Sequence, residues 1–340
     1  MTTLYLIRHA EAEGNVFRRI HGQYDSMVTP NGMRQIKALE QRFADIPVDA
    51  VYASDLTRTC VTAGAIYKPK ALPLHREPRF REVSIGIWED IPFGQLELDD
   101  PERLYVFSHD PEHFSIEGGE TMEVYTARFM EALDEVARRH DGQTVAIFSH
   151  GMVLRGVMQR LFFPDDPTGG GHCENTGVTC ITWENGEYQL KFLNDASHLP
   201  MEISTLGRQH WWRGDRKLDF NLRYRPATAE DTAFLQALGH CPEPSEETLL
   251  ALLGGQPIGA ISMRPCGHDA GGIVFLGLLP EHRGKGLAAQ LLGCAVSHFR
   301  SAGAKRLLLL QQPESDEAGK LFATYGFDGT NGISIVPVIR

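Results

Sequence analysis

Three short apolar runs in the first half of the chain end on residues suited to phosphate chemistry. Residues 4–7 run into Arg8 and His9, residues 48–52 lead through SDLTRT to Arg58, and residues 145–148 run into Ser149, His150 and Gly151. Arginine offers paired N–H donors that match phosphate oxygens, and a phosphoryl group in transfer spreads its charge over three equatorial oxygens that such donors can hold. A neutral imidazole beside them can attack phosphorus and become a phosphohistidine, dividing one hard displacement into two easier ones. The departing alkoxide then needs a proton. Glu82, in REVSIGIWED beside Gly86 and Trp88, is the candidate acid.

These residues need a scaffold that brings them to one place. Each apolar run is followed by a turn and a helix-like segment, at 31–43, 56–66 and 152–161, which predicts a mostly parallel sheet. In such sheets ligands bind outside the carboxyl ends of the strands, where helix N-termini also favour an anion. A further helix is expected at 122–139, started by Gly118, Gly119 and Thr121, and a hairpin at 177–183 and 188–194 around Asn185–Gly186. Periodicity fails from 200 to 219, so 201–220 reads as a linker whose Trp211 and Trp212 dock on a domain face. A second α/β pattern follows, with strands near 222–225, 258–263, 273–278 and 306–310 and helices near 286–302 and 315–325. The expected division is 1–200, linker 201–220, and 221–340, with residues 1–205 folding and hydrolysing phosphoesters alone.

Composition limits the partners. At 340 residues the chain is long for one hydrophobic core and comfortable for two. A net charge of −11 with no Lys/Arg run argues against nucleic acid or an anionic membrane as partner. The N-terminal apolar run stops after four residues, too short for a signal peptide, and no run approaches the ~20 residues of a membrane span, so a cytoplasmic protein is expected. Six scattered cysteines without a C-x-x-C pair suit reduced structural thiols, and no metal is expected.

The second half poses its question in LGLLPEHRGKGLAAQLL, a Gly-rich turn between a strand and a helix, where bare N–H groups can approach phosphate oxygens. Gly284–Lys285 is followed by Gly286 rather than Ser or Thr, so a P-loop fails. The run after Gly286 is Leu, Ala, Ala, so a dinucleotide fingerprint fails too.

Taken together, Arg8–His9–Ala10–Glu11, Asn15, Arg19, His21–Gly22, Asp25, Thr29, Gly32, Gln35, Ser54 to Thr59, Glu82, Gly86–Trp88–Glu89, Gly118–Gly119–Glu120 and Ser149–His150–Gly151 resemble the histidine phosphatase superfamily, with its phosphoglycerate-mutase-like α/β/α fold. The resemblance implies His9 as phosphorylated nucleophile, Glu82 as proton donor, and Arg8, Arg58 and His150 as the phosphate pocket with Asn15 beside it. Ala10 stands where Gly is usual and His21 where Gln is common. The interval between Glu82 and His150 is compact, whereas mutases of the family carry a longer insertion, which favours hydrolysis of a small phosphorylated metabolite. Arg283, Gly286 and Ala288 after Leu278–Leu279–Pro280, with LRYRPATAEDTAFL before and KLFATYGF after, resemble the GNAT acetyltransferases, mixed α/β domains that use acetyl-CoA. That resemblance places the pantetheine arm on Leu278 and Leu279 and the pyrophosphate on Arg283, Gly284, Lys285, Gly286, Leu287 and Ala288, with an unidentified amine as acceptor. Phe322 occupies the position of the family's usual tyrosine acid, and Tyr325 lies three residues on. The chain thus reads as a bifunctional enzyme. The alternatives are a phosphatase whose second half only senses acyl-CoA or is structural, and a phosphoglycerate-type mutase.

Overall fold

The computed structural model describes residues 1–166, 170–209, 221–311, 313, 316–328 and 332–337; Trp211 and Trp212 lie outside them. The first half runs β1 (Thr2–Arg8), α1 (Glu13–Phe17), α2 (Pro30–Arg42), β2 (Ala50–Ala53), α3 (Thr57–Tyr67), β3 (Leu74–Arg76), α4 (Phe93–Asp99), α5 (Pro101–His109), α6 (Met122–Arg139), β4 (Thr144–Ser149), α7 (Gly151–Phe162), β5 (Val178–Glu184), β6 (Glu187–Asp195) and α8 (Thr205–Arg208). Its sheet has the order β3-β2-β4-β1-β5-β6, parallel through β3, β2, β4 and β1, with β5 and β6 antiparallel.

The alternation of side chains along β1 and β4 sorts the sheet into two buried faces. Leu4, Leu6, Val145 and Ile147 pack with Phe129, Leu133, Val153 and Val157 of α6 and α7. Ile7, Ala146 and Phe148 pack with Ile36, Leu39, Ala63 and Ile66 of α2 and α3. The result is a three-layer α/β/α unit. Local signals agree with it: α2 starts on Thr29, whose hydroxyl accepts the Gly32 N–H at 3.0 Å, with Pro30 at the first helical position.

The second half runs β7 (Arg223–Pro226), α9 (Thr232–Ala237), β8 (Glu247–Leu253), β9 (Gln256–Pro265), β10 (Ala270–Leu278), α10 (Leu287–Ser301), β11 (Arg306–Leu309), α11 (Asp316–Thr324) and β12 (Ile333–Ser334). Its sheet follows β12-β11-β10-β9-β8-β7, antiparallel except for β10 with β11. That parallel pairing covers Ala270 to Ile273 of β10, and the strand continues to Leu278. Three strands had no sequence signal. β3 is three residues long, β12 is two, and β8 reads ETLLALL, helix-forming residues held extended between β7 and β9.

The two halves meet along α10. Phe17 of α1 is buried in the hydrophobic core of the second half, and Tyr325 lies with its ring 5.8 Å from it. Arg300 makes a two-pronged pair with Glu13 at 2.9 and 3.0 Å, and Ser297 donates to Asp90. Residues 200–209, expected as linker, close against the first half: Thr205 Oγ1 donates to Glu11 at 2.9 Å and the Leu206 N–H to Glu174 at 2.9 Å. A fragment ending at 205 would leave Phe17, Glu13 and Asp90 without these partners.

Gly293 measures the strength of this docking. A Cβ there would lie 2.4 Å from Phe17 Cβ. Ala for Gly inside a helix normally stabilises by about 1 kcal/mol, so Gly293→Ala is expected to destabilise the full chain only because Phe17 must shift. Denaturant melts should show a lower midpoint; a higher one would mean that the α1–α10 contact contributes nothing.

Candidate functional site

Strand register explains why the predicted residues meet. β1 and β4 pair in parallel with Arg8 opposite Ser149, so the next residues, His9 and His150, leave the sheet side by side. The His9 N–H donates to the Ser149 carbonyl at 2.9 Å, and the imidazole rings stand 5.2 Å apart. β2 ends one strand over, the Ser54 N–H donates to the Phe148 carbonyl at 2.9 Å, and the following turn delivers Arg58 in the first turn of α3.

Arg8, His9, Asn15, Arg58 and Glu82 line one cavity of about 450 Å³, the size of a small-molecule site. His150 is fully buried and does not line it. Its Nδ1 accepts from Arg58 Nε at 3.2 Å and its Nε2 faces Ser54 Oγ at 2.9 Å, so it reaches the cavity through Arg58 rather than directly.

His9 Nδ1 lies 2.7 Å from the Ala10 carbonyl, an acceptor, so Nδ1 carries the proton and Nε2 keeps its lone pair. Burial, then the charges of Arg58 and Arg8, hold this imidazole well below its ordinary range, and burial with Arg58 and His9 does the same to His150. Ala10 causes no strain: its backbone is not left-handed, and its N–H donates to Thr62 at 2.9 Å.

Arg58 is 2% exposed and donates to the carbonyls of Tyr24 at 2.8 Å and Gly22 at 2.6 Å. Glu89 holds the same loop from the other side, accepting the N–H groups of Gly22, Gln23 and Tyr24 at 3.1, 2.7 and 2.9 Å. Arg8 donates to the Cys173 carbonyl. Neither arginine donates to a carboxylate among the described residues, so an anion in the cavity would meet two guanidiniums here. Asn15 turns its Oδ1 to the Ala12 N–H at 2.9 Å.

The helix N-termini expected to attract phosphate are already occupied. Asp25 accepts from the Thr57 N–H and hydroxyl at 2.8 and 2.7 Å at the start of α3. Glu82 accepts from the Met152 and Val153 N–H groups at 3.0 and 2.8 Å at the start of α7, and from its own neighbour Val83 at 3.0 Å. Glu82 Oε1 has two donors and Oε2 one, which leaves Oε2 the more open position for a proton. Arg128 fixes the loop beneath, donating to the carbonyls of Arg79, Arg81 and Glu82 at 2.7, 2.9 and 2.9 Å.

The sequence reading missed Asp90. Its Oδ1 accepts from Arg19 at 2.6 Å and lies 2.9 Å from His21 Nε2. Burial works to raise its carboxyl, but His21 and Arg19 bring it down to about 2. Asp90 follows the quoted Gly86–Trp88–Glu89 stretch, yet its partners come from residues 19, 21 and 297, which no local pattern links. Between Ile91 and Ile116, Phe107 and Phe114 pack on Trp88 in the core, Phe93 and Phe107 face the cavity, and Tyr105 is exposed and stacked on His109.

In the second half, Gly284 and Gly286 have φ of +74° and +78° with open space around both, and the N–H groups of Leu287 and Ala288 start α10. Arg283 Nε donates to the Leu278 carbonyl at 3.0 Å and the Leu279 N–H to Ile258 at 2.8 Å, so these two strand-end groups already have partners in the chain. Phe322 is buried against Phe327. Tyr325 faces Phe17 of the other half. A separate polar cavity of about 360 Å³ holds His240, Glu246 and Thr248; His240 Nε2 lies 2.7 Å from Ser262 Oγ and 3.2 Å from Glu246, and its ring stacks on Phe275 of β10 at 4.4 Å. No group of three potential metal ligands occurs among the described residues, and no helix there is long and apolar enough to cross a membrane.

The comparisons with known proteins agree with this geometry. Residues 4–196 match the histidine phosphatase superfamily (branch 1), and the chain belongs to that superfamily. Residues 211–327 match the acetyltransferase (GNAT) family, so the protein is a fusion of the two. It is 30% identical over 200 residues to phosphoserine phosphatase 1 of Hydrogenobacter thermophilus, covering 58% of this chain and 95% of that protein. It is 33% identical over 161 residues to the probable phosphoglycerate mutase GpmB of Yersinia pestis, covering 47% and 75%. Among solved structures, Bacillus stearothermophilus YhfR superposes with a TM-score of 0.55 at 31% identity, covering 58% of this chain and 99% of that one.

The buried imidazoles give the site a pH signature. His9, His150, His21 and His172 are all held below their ordinary range by burial first. On unfolding each takes up a proton below pH ~6.5, so the unfolded state binds more protons there and stability falls as pH falls. Each such imidazole adds a slope of about 1.4 kcal/mol per pH unit until its folded form also titrates. Thermal melts at pH 7.5 and 5.5 should show a clear loss at the lower pH, reduced in His150→Asn. A flat profile would refute the neutral buried pair.

Proposed function

We propose that the first half hydrolyses small phosphomonoesters through a phosphohistidine at His9 with Glu82 as proton donor, and that the second half transfers an acetyl group from acetyl-CoA to an amine. The observation that carries the first reading is the tautomer of His9, whose Nε2 lone pair stands in a cavity beside Arg8 and Arg58. His9 Nε2 attacks phosphorus, the bond to the ester oxygen breaks, and the two guanidiniums hold the equatorial oxygens. Glu82 Oε2 gives its proton to the departing oxygen. The resulting carboxylate then takes a proton from a water that attacks the phosphohistidine, releasing phosphate and restoring both groups. Relatives include phosphatases and mutases; α4 and α5 fill the stretch after Glu82 with a core built on Trp88, which supports hydrolysis. Phosphoserine is the first ester to test, since phosphoserine phosphatases are among the relatives.

For the second reading, the exposed loop from Arg283 to Gly286 and the N–H groups of Leu287 and Ala288 at the start of α10 would hold the pyrophosphate. The cavity with His240 and Glu246 offers an imidazole to take the amine's proton and a carboxylate to attract its cation.

His9→Ala should abolish phosphate release and the acid-labile phosphoenzyme trapped with labelled ester. Glu82→Gln should slow an alkyl phosphate by at least 100-fold but p-nitrophenyl phosphate far less, because a phenolate leaves without a proton. Equal loss on both would remove Glu82 as the acid. In the full chain, acetyl-CoA should bind and Gly286→Val should lose that binding at least tenfold; binding unaffected by the substitution would place the cofactor elsewhere.

A further inference from the structure

The wall of the phosphatase cavity is completed by a residue beyond the histidine phosphatase match. Asn221 lines the cavity, whereas that match ends at residue 196. Its side-chain amide joins two charged residues of the same cavity wall: Oδ1 accepts from Arg18 Nε at 2.8 Å, and Nδ2 donates to Glu97 Oε1 at 2.5 Å. Arg18 is also set by its backbone, left-handed at φ 53°, and by its guanidinium lying 4.8 Å over the Phe93 ring. The Arg18 carbonyl accepts the Phe93 N–H at 2.9 Å, which ties the start of α4 to the end of α1.

The C-terminal half holds Asn221 firmly. Leu222 is buried in that half's core, and its N–H donates to Gln290 of α10 at 2.9 Å. The Asn221 and Leu222 carbonyls press on Gly94, where a Cβ would lie 2.7 and 2.6 Å from them. A neutral amide is suited to this place because one end accepts from the cation and the other donates to the anion without adding charge. Aspartate would repel Glu97.

We propose that Asn221 is a positioning residue of the phosphatase reaction, which holds Arg18 and Glu97 at the spacing that receives the carboxylate and the ammonium of a small zwitterionic leaving group while the phosphoryl group lies on Arg8 and Arg58. A guanidinium matches a carboxylate with paired donors, and a carboxylate attracts an ammonium. The inference rests on the phosphomonoesterase reading. It makes leaving-group selectivity a property of the fusion, because the residue that spaces the two charges comes from the acetyltransferase half.

The experiment compares kcat and KM of the full chain for phosphoserine, phosphoethanolamine, phosphoglycolate and p-nitrophenyl phosphate. The intact protein should prefer phosphoserine to phosphoethanolamine, which lacks the carboxylate, and to phosphoglycolate, which lacks the ammonium. Asn221→Ala should lower the ratio of kcat/KM for phosphoserine to that for p-nitrophenyl phosphate at least tenfold, mainly through KM. Glu97→Gln keeps an oxygen for the Asn221 amide but loses the charge, and should lower the same ratio while sparing the preference over phosphoethanolamine. Should Asn221→Ala fold poorly in a thermal melt, Glu97→Gln and Asn221→Asp still decide. A ratio unchanged in all variants, or an equal fall on every ester, would overturn the proposal and leave the phosphatase standing. So would intact protein that hydrolyses p-nitrophenyl phosphate without preferring the zwitterion. No turnover of any ester and no phosphohistidine would defeat the underlying phosphatase reading, and this proposal with it.

Discussion

Arg58 is the constraint around which the first half is organised. A guanidinium sealed from solvent, with no carboxylate bonded to it among the described residues, is costly, so the nearby elements must supply acceptors. Gly22 and Tyr24 turn their carbonyls to it, and His150 gives it a ring nitrogen. Each of these in turn demands something further back. Glu89 must gather three N–H groups to fold the 22–24 loop, and Ser54 must meet the other His150 nitrogen, which needs β2 beside β4. Burial first, and then the same positive field, hold the His9 imidazole well below its ordinary range. In the proposed reaction, the hold on phosphate and the attacking histidine would thus both draw on one buried charge.

Arg8, His9, Ser149 and His150 were legible in the sequence because they sit at strand ends, where a break from apolar to polar stands out. Arg8–His9 and Ser149–His150 needed only the register of two parallel strands to meet. What lay hidden depended on contacts between distant segments. Chain position could not show that Arg58 and Ser54 engage the two ring nitrogens of His150. Asp90 and Asn221 carried no signal at all, since their partners lie 69 to 207 positions away. The helices α1, α4 and α9 are five to seven residues long, below the length at which a 3.6-residue period can be read. The region after residue 200 read as linker because its order comes from Glu11 and Glu174 rather than from its own apolar pattern.

Domain boundaries raise the same difficulty in another form. Sequence matching divides the chain after residue 196, and each half has its own sheet and core. Yet Phe17, in the first half by chain position, is packed as a core residue of the second. The α1 helix that carries Asn15 at the phosphatase cavity also carries Phe17, two residues on, into the other core. A five-residue helix has little stability of its own. Its placement therefore relies on α10, through Gly293 and Arg300.

That reliance gives α10 a double position. Its first turn follows the glycine loop that resembles an acetyl-CoA site, and its later turns hold the wall of the phosphatase cavity through Asp90 and Glu13. Tyr325 fits the same logic. It stands near the place where a family tyrosine would act as acid, but it turns toward Phe17, so the ring joins the two halves instead of entering the acetyl site. With Phe322 buried behind it, proton delivery to a departing thiolate has no tyrosine at this position. A thiol with pKa near 8.5 leaves as thiolate with little assistance, so the proposed acetyl transfer would not require a tyrosine at this position. In the first half the proposed reaction would need an acid for an alkoxide to leave, and Glu82, the carboxyl proposed for that step, is fixed in place by three N–H donors at the start of a helix buried in its own core.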